Sequence, residues 1–245
     1  KPSFRIALVV AVISSILQLV AGHKSADGVA RNQPAKLAAL EGHYDSSAAA
    51  DMYLFGWVDQ QEQKTKGIKI PGGLSFLLHQ DVTTPVTGLT AFKKEDRPSQ
   101  VNAVFQFYHI MVAIGMFMIA LTLYASWQWK KGRLFQQRWL LHVFAWSVLL
   151  PQIANQAGWF AAEMGRQPWV VYGLLRTSDA LSASVKAEQV LISLILFTLV
   201  YATLFVLFLY LLNKKVKHGP EEHEHTSDAE NSGYSTRENP LMKTK

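Results

Sequence analysis

The sequence predicts an all-α integral membrane protein, a bundle of four transmembrane helices that is part of a larger helical subunit, with one long extracytoplasmic loop. Of its 245 residues, 49% are hydrophobic and 17% charged, whereas soluble chains contain about 25% charged residues. The apolar residues gather into four stretches close to the roughly 20 residues that a helix needs to cross a bilayer. The chain has no cysteine, which excludes disulfides, thiolate zinc sites and cysteine-bound iron–sulfur clusters.

Four predicted spans divide the chain. The spans are 1–22, 104–127, 139–163 and 190–212, and the segments between and after them are 23–103, 128–138, 164–189 and 213–245. The first span is short and contains polar residues, so a secretory signal peptide is the alternative. The tail is rich in Glu, Ser and Asn and is predicted to be disordered. Its Glu-His-Glu-His run at 222–225 is more typical of a solvated tail than of a metal site.

Basic residues at the ends of the spans predict the orientation. They precede the first span, fill the 128–138 loop and follow the fourth span: Lys1, Arg5, Lys130, Lys131, Arg133, Arg138, Lys214, Lys215 and Lys217. Cytoplasmic loops are enriched in Lys and Arg. We therefore expect both termini of this segment in the cytoplasm, and 23–103 and 164–189 outside. This distribution explains the net charge of +6 without a nucleic-acid partner. The first residue is not methionine, so we expect a longer chain.

Polar residues inside the third span follow one helical stripe. They are Gln152, Asn155, Gln156, Trp159 and Glu163, and Pro151 is expected to bend the helix at their start. Such residues either join helices by hydrogen bonds or mark a functional site. Glu163, Trp159 and Arg166 together suit a haem, with the carboxylate near iron and the guanidinium on a propionate. A simple salt bridge is the alternative for Glu163.

The second span contributes His109 and Met111 near its outer end. Gly115, four residues after Met111, leaves room on the same face for a macrocycle or a helix. Methionine and histidine form a known axial pair for haem, although core packing also explains a methionine here. His109 cannot share an iron with Met111, because side chains two positions apart on a helix do not face each other. His142 lies near the opposite end of the membrane.

Two sequence motifs resemble a known family. Residues 158–169, GWFAAEMGRQPW, resemble the GWxxxExGRQPW signature of subunit I of cytochrome bd-type quinol oxidases. Residues 33–41, QPAKLAALE, resemble the quinol-loop motif of that family, and residues 84–89, TPVTGL, resemble a later part of the same loop. The resemblance extends to the tail and corresponds to the C-terminal half of the subunit, with a short loop.

The resemblance implies roles for individual residues. Lys36 and Glu41 match residues implicated in quinol binding or oxidation. Met111 matches the methionine ligand of the low-spin haem b558, and Glu163 matches the carboxylate ligand of the high-spin haem b595. The histidine partner of Met111 and the histidine of haem d belong to the absent N-terminal half. The other expected cofactor-binding residues are Trp159, Arg166, Gln167, Trp169 and His109, and His109 stands where the family has an arginine.

The resemblance also implies an enzyme, a quinol:oxygen oxidoreductase of the respiratory chain in the plasma membrane of a prokaryote. It would oxidise quinol outside and reduce oxygen to water, and it would need the N-terminal half of the subunit and subunit II. A small accessory subunit is a further candidate partner. Two alternatives remain open: a haem b electron-transfer protein that oxidises quinol without reducing oxygen, and a transporter-like bundle.

Overall fold

The computed structural model describes residues 2–182 and 184–218. The chain divides into two units, 1–181 and 182–245, and each is described by itself. Most of the predicted disordered tail, including the Glu-His-Glu-His run, lies outside the described residues.

Two long helices organise the first unit. Helix α1 spans Pro2–Asn32, and helix α4 spans Val101–Lys130. Both are long and apolar enough to cross a membrane. Helix α1 continues about ten residues beyond its predicted end, where Arg31 and Asp27 form an ion pair of 2.9 Å at positions i and i+4. Such pairs stabilise a helix that leaves the apolar region.

The third predicted span forms two consecutive helices, α5 (Arg138–Ser147) and α6 (Leu150–Gly165). Pro151 has no N–H to bond the carbonyl four residues earlier, so the helical ladder is interrupted here. The backbone between the two helices keeps right-handed helical angles. The third span is therefore interrupted directly before Pro151, where the sequence predicts a bend.

The segment between α1 and α4 contains a helix that the sequence predicts and a hairpin that it does not. Helix α2 (Pro34–Leu40) begins at a proline, which suits the first turn. Strands β1 (Met52–Asp59) and β2 (Lys64–Ile70) pair antiparallel, and helix α3 (Gly73–His79) follows. The aromatic and β-branched residues of β1 favour a strand.

A second short hairpin, β3 (Trp169–Val171) with β4 (Leu175–Arg176), follows α6. The chain is mostly helical, but the prediction of an all-α protein is incomplete.

Two apolar clusters lie at opposite ends of α4. The first joins α2 and the start of α4 to α6, and the second joins α1 to α5 through Leu8, Leu121, Ala125, Leu134 and Leu140. The guanidinium of Arg5 lies 5.8 Å from the ring centres of both Trp129 and Phe135 in the second cluster. Hence the N-terminal end of α1 and the 128–138 loop lie together, as their basic residues predicted.

The second unit contains helix α7 (Ala187–His218). It is also long and apolar enough to cross a membrane, and none of its described residues is buried. Within the described ranges, α1, α4 and α7 are the helices that meet these criteria. They correspond to three of the four predicted spans.

Candidate functional site

Helix α2 places Lys36 against the C-terminal end of α6. A Cβ atom on Gly165 would lie 3.3 Å from Cγ of Lys36 and 3.2 Å from Cγ1 of Val104, so the glycine permits the close approach of three helices. Burial lowers the pKa of the Lys36 ammonium, the charge of Glu163 opposes this, and the charge of Arg166 adds to it. The lysine of the quinol-loop motif is therefore an electrostatic neighbour of the expected haem ligand.

Glu41 follows the last turn of α2 and is buried, with 3% of its surface exposed. Burial raises the pKa of its carboxyl group to about 7, and a hydrogen bond from the Tyr108 hydroxyl acts in the opposite direction. Among the described residues, the Oε2 atom of Glu41 has no close hydrogen-bonding partner. The sequence did not indicate Tyr108, because a tyrosine near the end of an apolar helix is typical of membrane interfaces.

Lys36 and Glu41 therefore contact different neighbours. Lys36 lies beside α6, and Glu41 interacts with α4. At 100° per residue, five positions separate the two side chains by about 140° on a helix. The two side chains therefore meet different helices and do not share a face.

An open polar cleft of about 300 Å³ lies beside the end of α2. Its lining includes Gly42 and His43, which follow Glu41 directly, together with Asp45, Asp51 and Lys64. Burial lowers the pKa of His43, and the Val86 carbonyl, 3.2 Å from its Nε2 atom, acts in the opposite direction. The lining of the cleft begins at the residue after Glu41 and does not include Glu41 itself.

Polar side chains on the first turns of α4 bind the backbone of β1. The Oδ1 atom of Asn102 accepts the N–H of Val58 at 3.1 Å, and Nε2 of Gln106 donates to the Gly56 carbonyl at 2.7 Å. Asn102 and Gln106 are four positions apart and lie on one face of the helix. The hairpin is thereby fixed to the N-terminal end of α4.

His109 continues this stripe three positions later. Its Nε2 atom lies 2.8 Å from the Tyr53 carbonyl, and its Nδ1 atom lies 2.8 Å from the Phe105 carbonyl. Its ring also stacks on Phe105, with ring centres 3.8 Å apart. Both nitrogens face the protein backbone, so a cofactor contact through either would replace one of these interactions.

Met111 packs against Gly158 of α6. A Cβ atom on Gly158 would lie 2.5 Å from the Met111 sulfur, so the thioether occupies space that only glycine leaves free. A Cβ atom on Gly115 would meet no atom within 4 Å. The room expected beside Gly115 is present in the described chain.

Glu163 and Arg166 form an ion pair on α6. Both Nε and Nη2 of Arg166 donate to Oε2 of Glu163, at 2.8 and 2.6 Å. The Oε1 atom has no such bond to a described residue. The other members of the predicted polar stripe are exposed, and Trp159 has 60% of its surface accessible. The opposite side of α6 is buried through Ala157, Ala161 and Gly165.

Gln167 and Trp169 contact β4 and the residue after it, and Arg176 of β4 in turn pairs with the loop before α4. Gln167 accepts a hydrogen bond from the Thr177 hydroxyl at 2.7 Å. The Arg176 guanidinium lies 4.8 Å from the Trp169 ring centre and pairs with Asp96. The Trp169 indole nitrogen is buried without a partner in the described part of the chain.

The donor atoms fit separate haem groups. Met111 contacts α6 at Gly158, and Glu163 lies five positions later, about 140° around the helix and about 7.5 Å along it. The thioether sulfur and Oε1 of Glu163 have no hydrogen bond to described residues. The Met111 sulfur and the Glu163 carboxylate therefore lie at different positions around and along α6. This separation suits two iron atoms better than one.

Comparison with known proteins decides the family. The family model described as cytochrome bd terminal oxidase subunit I matches residues 1–220. The chain belongs to this family. The resemblance predicted from the GWxxxExGRQPW signature and the quinol-loop motif is confirmed.

Members of the cytochrome bd subunit I family resemble the chain over nearly all of its length. Cytochrome bd ubiquinol oxidase subunit 1 of Bacillus subtilis strain 168 is 32% identical over 235 residues, which cover 92% of this chain and 50% of that protein. Cytochrome bd-II ubiquinol oxidase subunit 1 of Escherichia coli strain K12 is 29% identical over 284 residues, with 89% and 55% covered.

A solved structure of this family agrees with the fold. The bd oxidase from Geobacillus thermodenitrificans superposes with a TM-score of 0.73 at 29% identity, over 88% of this chain and 49% of that chain. The chain thus spans about half the length of the relatives it matches.

Proposed function

We propose that the chain is a haem-binding part of a terminal oxidase that oxidises quinol at the outer membrane surface and reduces oxygen to water. The observation that supports it most is the buried Glu41, whose carboxyl group has a pKa of about 7 and lies in the segment that resembles the quinol-loop motif. A general base acts best when its pKa is close to the working pH. Family membership makes quinol the expected substrate.

In the proposed quinol step, Glu41 accepts a proton from a quinol hydroxyl and passes it to water in the adjoining cleft. Lys36 orients the quinol by donating a hydrogen bond to one of its oxygen atoms. The lowered pKa of the Lys36 ammonium favours this role, because a weakly solvated ammonium gains more from a new acceptor.

We propose the haem types of the family as cofactors, with Met111 as a ligand of haem b558 and Glu163 as a ligand of haem b595. Haem d would be held mainly by residues outside this sequence. When bound, these groups accept the quinol electrons and carry out oxygen reduction. This chain orients the Met111 sulfur through the space at Gly158, and Arg166 holds Oε2 of Glu163 by two hydrogen bonds. The indole ring of Trp159 offers a flat surface against a haem. The indole N–H of Trp169, which has no partner among the described residues, is available to donate to a propionate.

The proposed membrane arrangement has four spans, the third being the kinked pair α5 and α6. Residues 128–138 and both termini of this segment would lie in the cytoplasm. Residues 23–103 and 164–189 would lie outside, in the plasma membrane of a prokaryote. The partners would be the N-terminal half of the same subunit, subunit II and a small accessory subunit. The exposed polar stripe of α6 is a surface that such a neighbour or a cofactor would cover.

The test is to purify the complex that contains this chain from cells without other oxidases. We expect absorption bands of b-type and d-type haem, and oxygen uptake that depends on added quinol. We expect Glu41→Ala to lower quinol oxidation about 100-fold, the scale of general base catalysis, with a normal haem spectrum. Bands of b-type haem without oxygen uptake would instead support the electron-transfer protein, and a complex without haem would support the transporter.

A further inference from the structure

Tyr108 is a partly buried titratable group beside the proposed quinol site that none of the motifs contains. It lies on α4, three residues before Met111, and its side chain packs against the cluster formed by α2, α4 and α6. Its hydroxyl group lies close enough to the Glu41 carboxylate to act on it as a hydrogen-bond donor. Since Oε2 of Glu41 has no close partner among the described residues, one carboxylate oxygen remains available to accept a proton.

The other charged groups near α2 have partners of their own. On α4, His109 faces the Tyr53 and Phe105 carbonyls. On α6, Glu163 and Arg166 pair with each other, and on α1, Asp27 and Arg31 do the same while His23 and Lys24 are exposed. The turn Leu89–Ala91, which also packs against α2, has no titratable side chain.

The other ionisable groups on α2 and on the residues after it also interact with partners other than Glu41. Lys36 interacts with the charges of Glu163 and Arg166. His43 lies against the Val86 carbonyl. Tyr44 is affected by the charges of Arg97 and Asp59. Of the described ionisable groups, Tyr108 is the one that acts on the Glu41 carboxylate.

A hydrogen-bond donor beside the Glu41 carboxylate opposes the effect of burial on its charged form. Burial favours the neutral form of a carboxylic acid, and a neutral acid cannot accept a proton. A hydrogen bond to the anion favours the charged form, and a fixed donor also selects one orientation of the carboxylate. The pKa of about 7 at Glu41 is consistent with these two opposing effects.

We propose that Tyr108 is a positioning residue for quinol oxidation, which orients the Glu41 carboxylate and stabilises its anion so that the carboxylate can take up a quinol proton. The inference rests on the function proposed above. In this step the O–H bond of the quinol breaks as an O–H bond forms on Glu41, and the electron released passes to the haem of the complex. Tyr108 keeps its own proton throughout.

Tyr108→Phe in the whole complex tests the inference, because it removes the hydroxyl group and keeps the ring. Without the donor, the pKa of Glu41 rises, and the acid limb of the pH profile of kcat moves upward by about one pH unit. At pH 7 this lowers kcat about fivefold, and raising the pH restores most of it. The KM for quinol and the haem spectrum stay near those of the parent.

Tyr124→Phe is the control, since Tyr124 lies on the same helix α4 but packs against the second cluster, and it should leave the pH profile unchanged. Replacement of Tyr108 by 3-fluorotyrosine keeps the size and makes the hydroxyl a stronger donor, so the acid limb should move downward. This second variant remains decisive if Tyr108→Phe fails to assemble.

Glu41→Gln separates this inference from the proposed function. If Glu41→Gln is inactive but neither change at Tyr108 moves the acid limb, the role of Tyr108 is overturned and the quinol site stands. If Glu41→Gln turns over at the parental rate, Glu41 is not the proton acceptor, and both proposals for this residue are wrong.

Discussion

The thioether of Met111 fills the space that Gly158 leaves on α6, and the two residues hold α4 and α6 in contact. A Cβ atom on Gly158 would approach the Met111 sulfur to 2.5 Å. The sulfur lies near the end of a flexible side chain, so the side chain, rather than the helices, is expected to move when a methyl group is added. The position of a proposed haem ligand thus depends on a glycine of the neighbouring helix.

Gly158→Ala should therefore displace the Met111 sulfur and perturb the low-spin haem while the complex still assembles. We expect a shifted or broadened low-spin band in the reduced-minus-oxidised spectrum, together with a changed reduction potential. Gly22→Ala on α1 is the control, because a Cβ atom there also meets nothing within 4 Å in the described chain. A parental low-spin spectrum in Gly158→Ala would show that the Met111 sulfur is not an iron ligand.

Glu163→Ala should remove the carboxylate proposed to bind the high-spin haem. We expect loss or strong change of the high-spin signal and loss of oxygen reduction, while quinol still reduces the low-spin haem. Glu163→Asp keeps the charge but shortens the side chain by one methylene, so an intermediate effect is expected. Glu188→Ala, in the first turn of α7, is a control. Full haem content with full oxygen uptake in Glu163→Ala would leave the residue as a salt-bridge partner of Arg166 alone.

Glu41→Gln should make the complex more stable at neutral and alkaline pH than the parent. The pKa of Glu41 is raised from 4.5 to about 7, so the folded protein binds this proton more tightly than the unfolded chain does. Its contribution to stability is therefore most favourable below pH 4.5 and is lost as the pH rises to about 7. The loss is about 3 kcal/mol at about 1.4 kcal/mol per pH unit.

The measurement is the thermal midpoint of the solubilised complex from pH 5 to pH 8.5. The thermal midpoint of Glu41→Gln minus that of the parent should increase up to about pH 7 and stay constant above it. Glu62→Gln is the control, because Glu62 is exposed at the turn of the first hairpin. A difference that does not change with pH would mean that Glu41 is not a buried titrating acid.

The absence of cysteine permits a test of the membrane arrangement with single introduced cysteines. Gln61→Cys lies in the turn between β1 and β2, and Gln136→Cys lies between α4 and α5; both positions are exposed. A membrane-impermeant maleimide should label position 61 in intact cells and position 136 only after the membrane is opened. The reverse pattern would invert the proposed orientation.

Regular features of the fold could be predicted from local sequence. The apolar runs predicted α1, α4 and α7, and the charges near Arg5 predicted which end of α1 meets the 128–138 loop. The break between α5 and α6 lies next to Pro151, where the sequence predicts a bend. These features depend on residues that are close in the chain or on the membrane itself.

Features that depend on distant contacts could not be predicted. The backbone of β1 is bound by side chains of α4 that lie 44 and 50 positions later, at Asn102 and Gln106. Nothing in the sequence of the hairpin indicates those partners. The same holds for Tyr108, whose significance lies in the Glu41 carboxylate on another helix.

The attachment of β1 to α4 also determines where the protein can accept added sequence. Asn102, Gln106 and His109 bind the strand along its length. Gln60, the first residue of the turn, also bonds Ser99 and Asn102 at the start of α4, and the turn residues after it are exposed. Residues inserted between Gln60 and Gln63 would lengthen the turn without disturbing β1, the strand that α4 binds. The turn is thus a suitable place for an affinity tag or a fluorescent label, and a natural position at which loops of different length can arise among relatives.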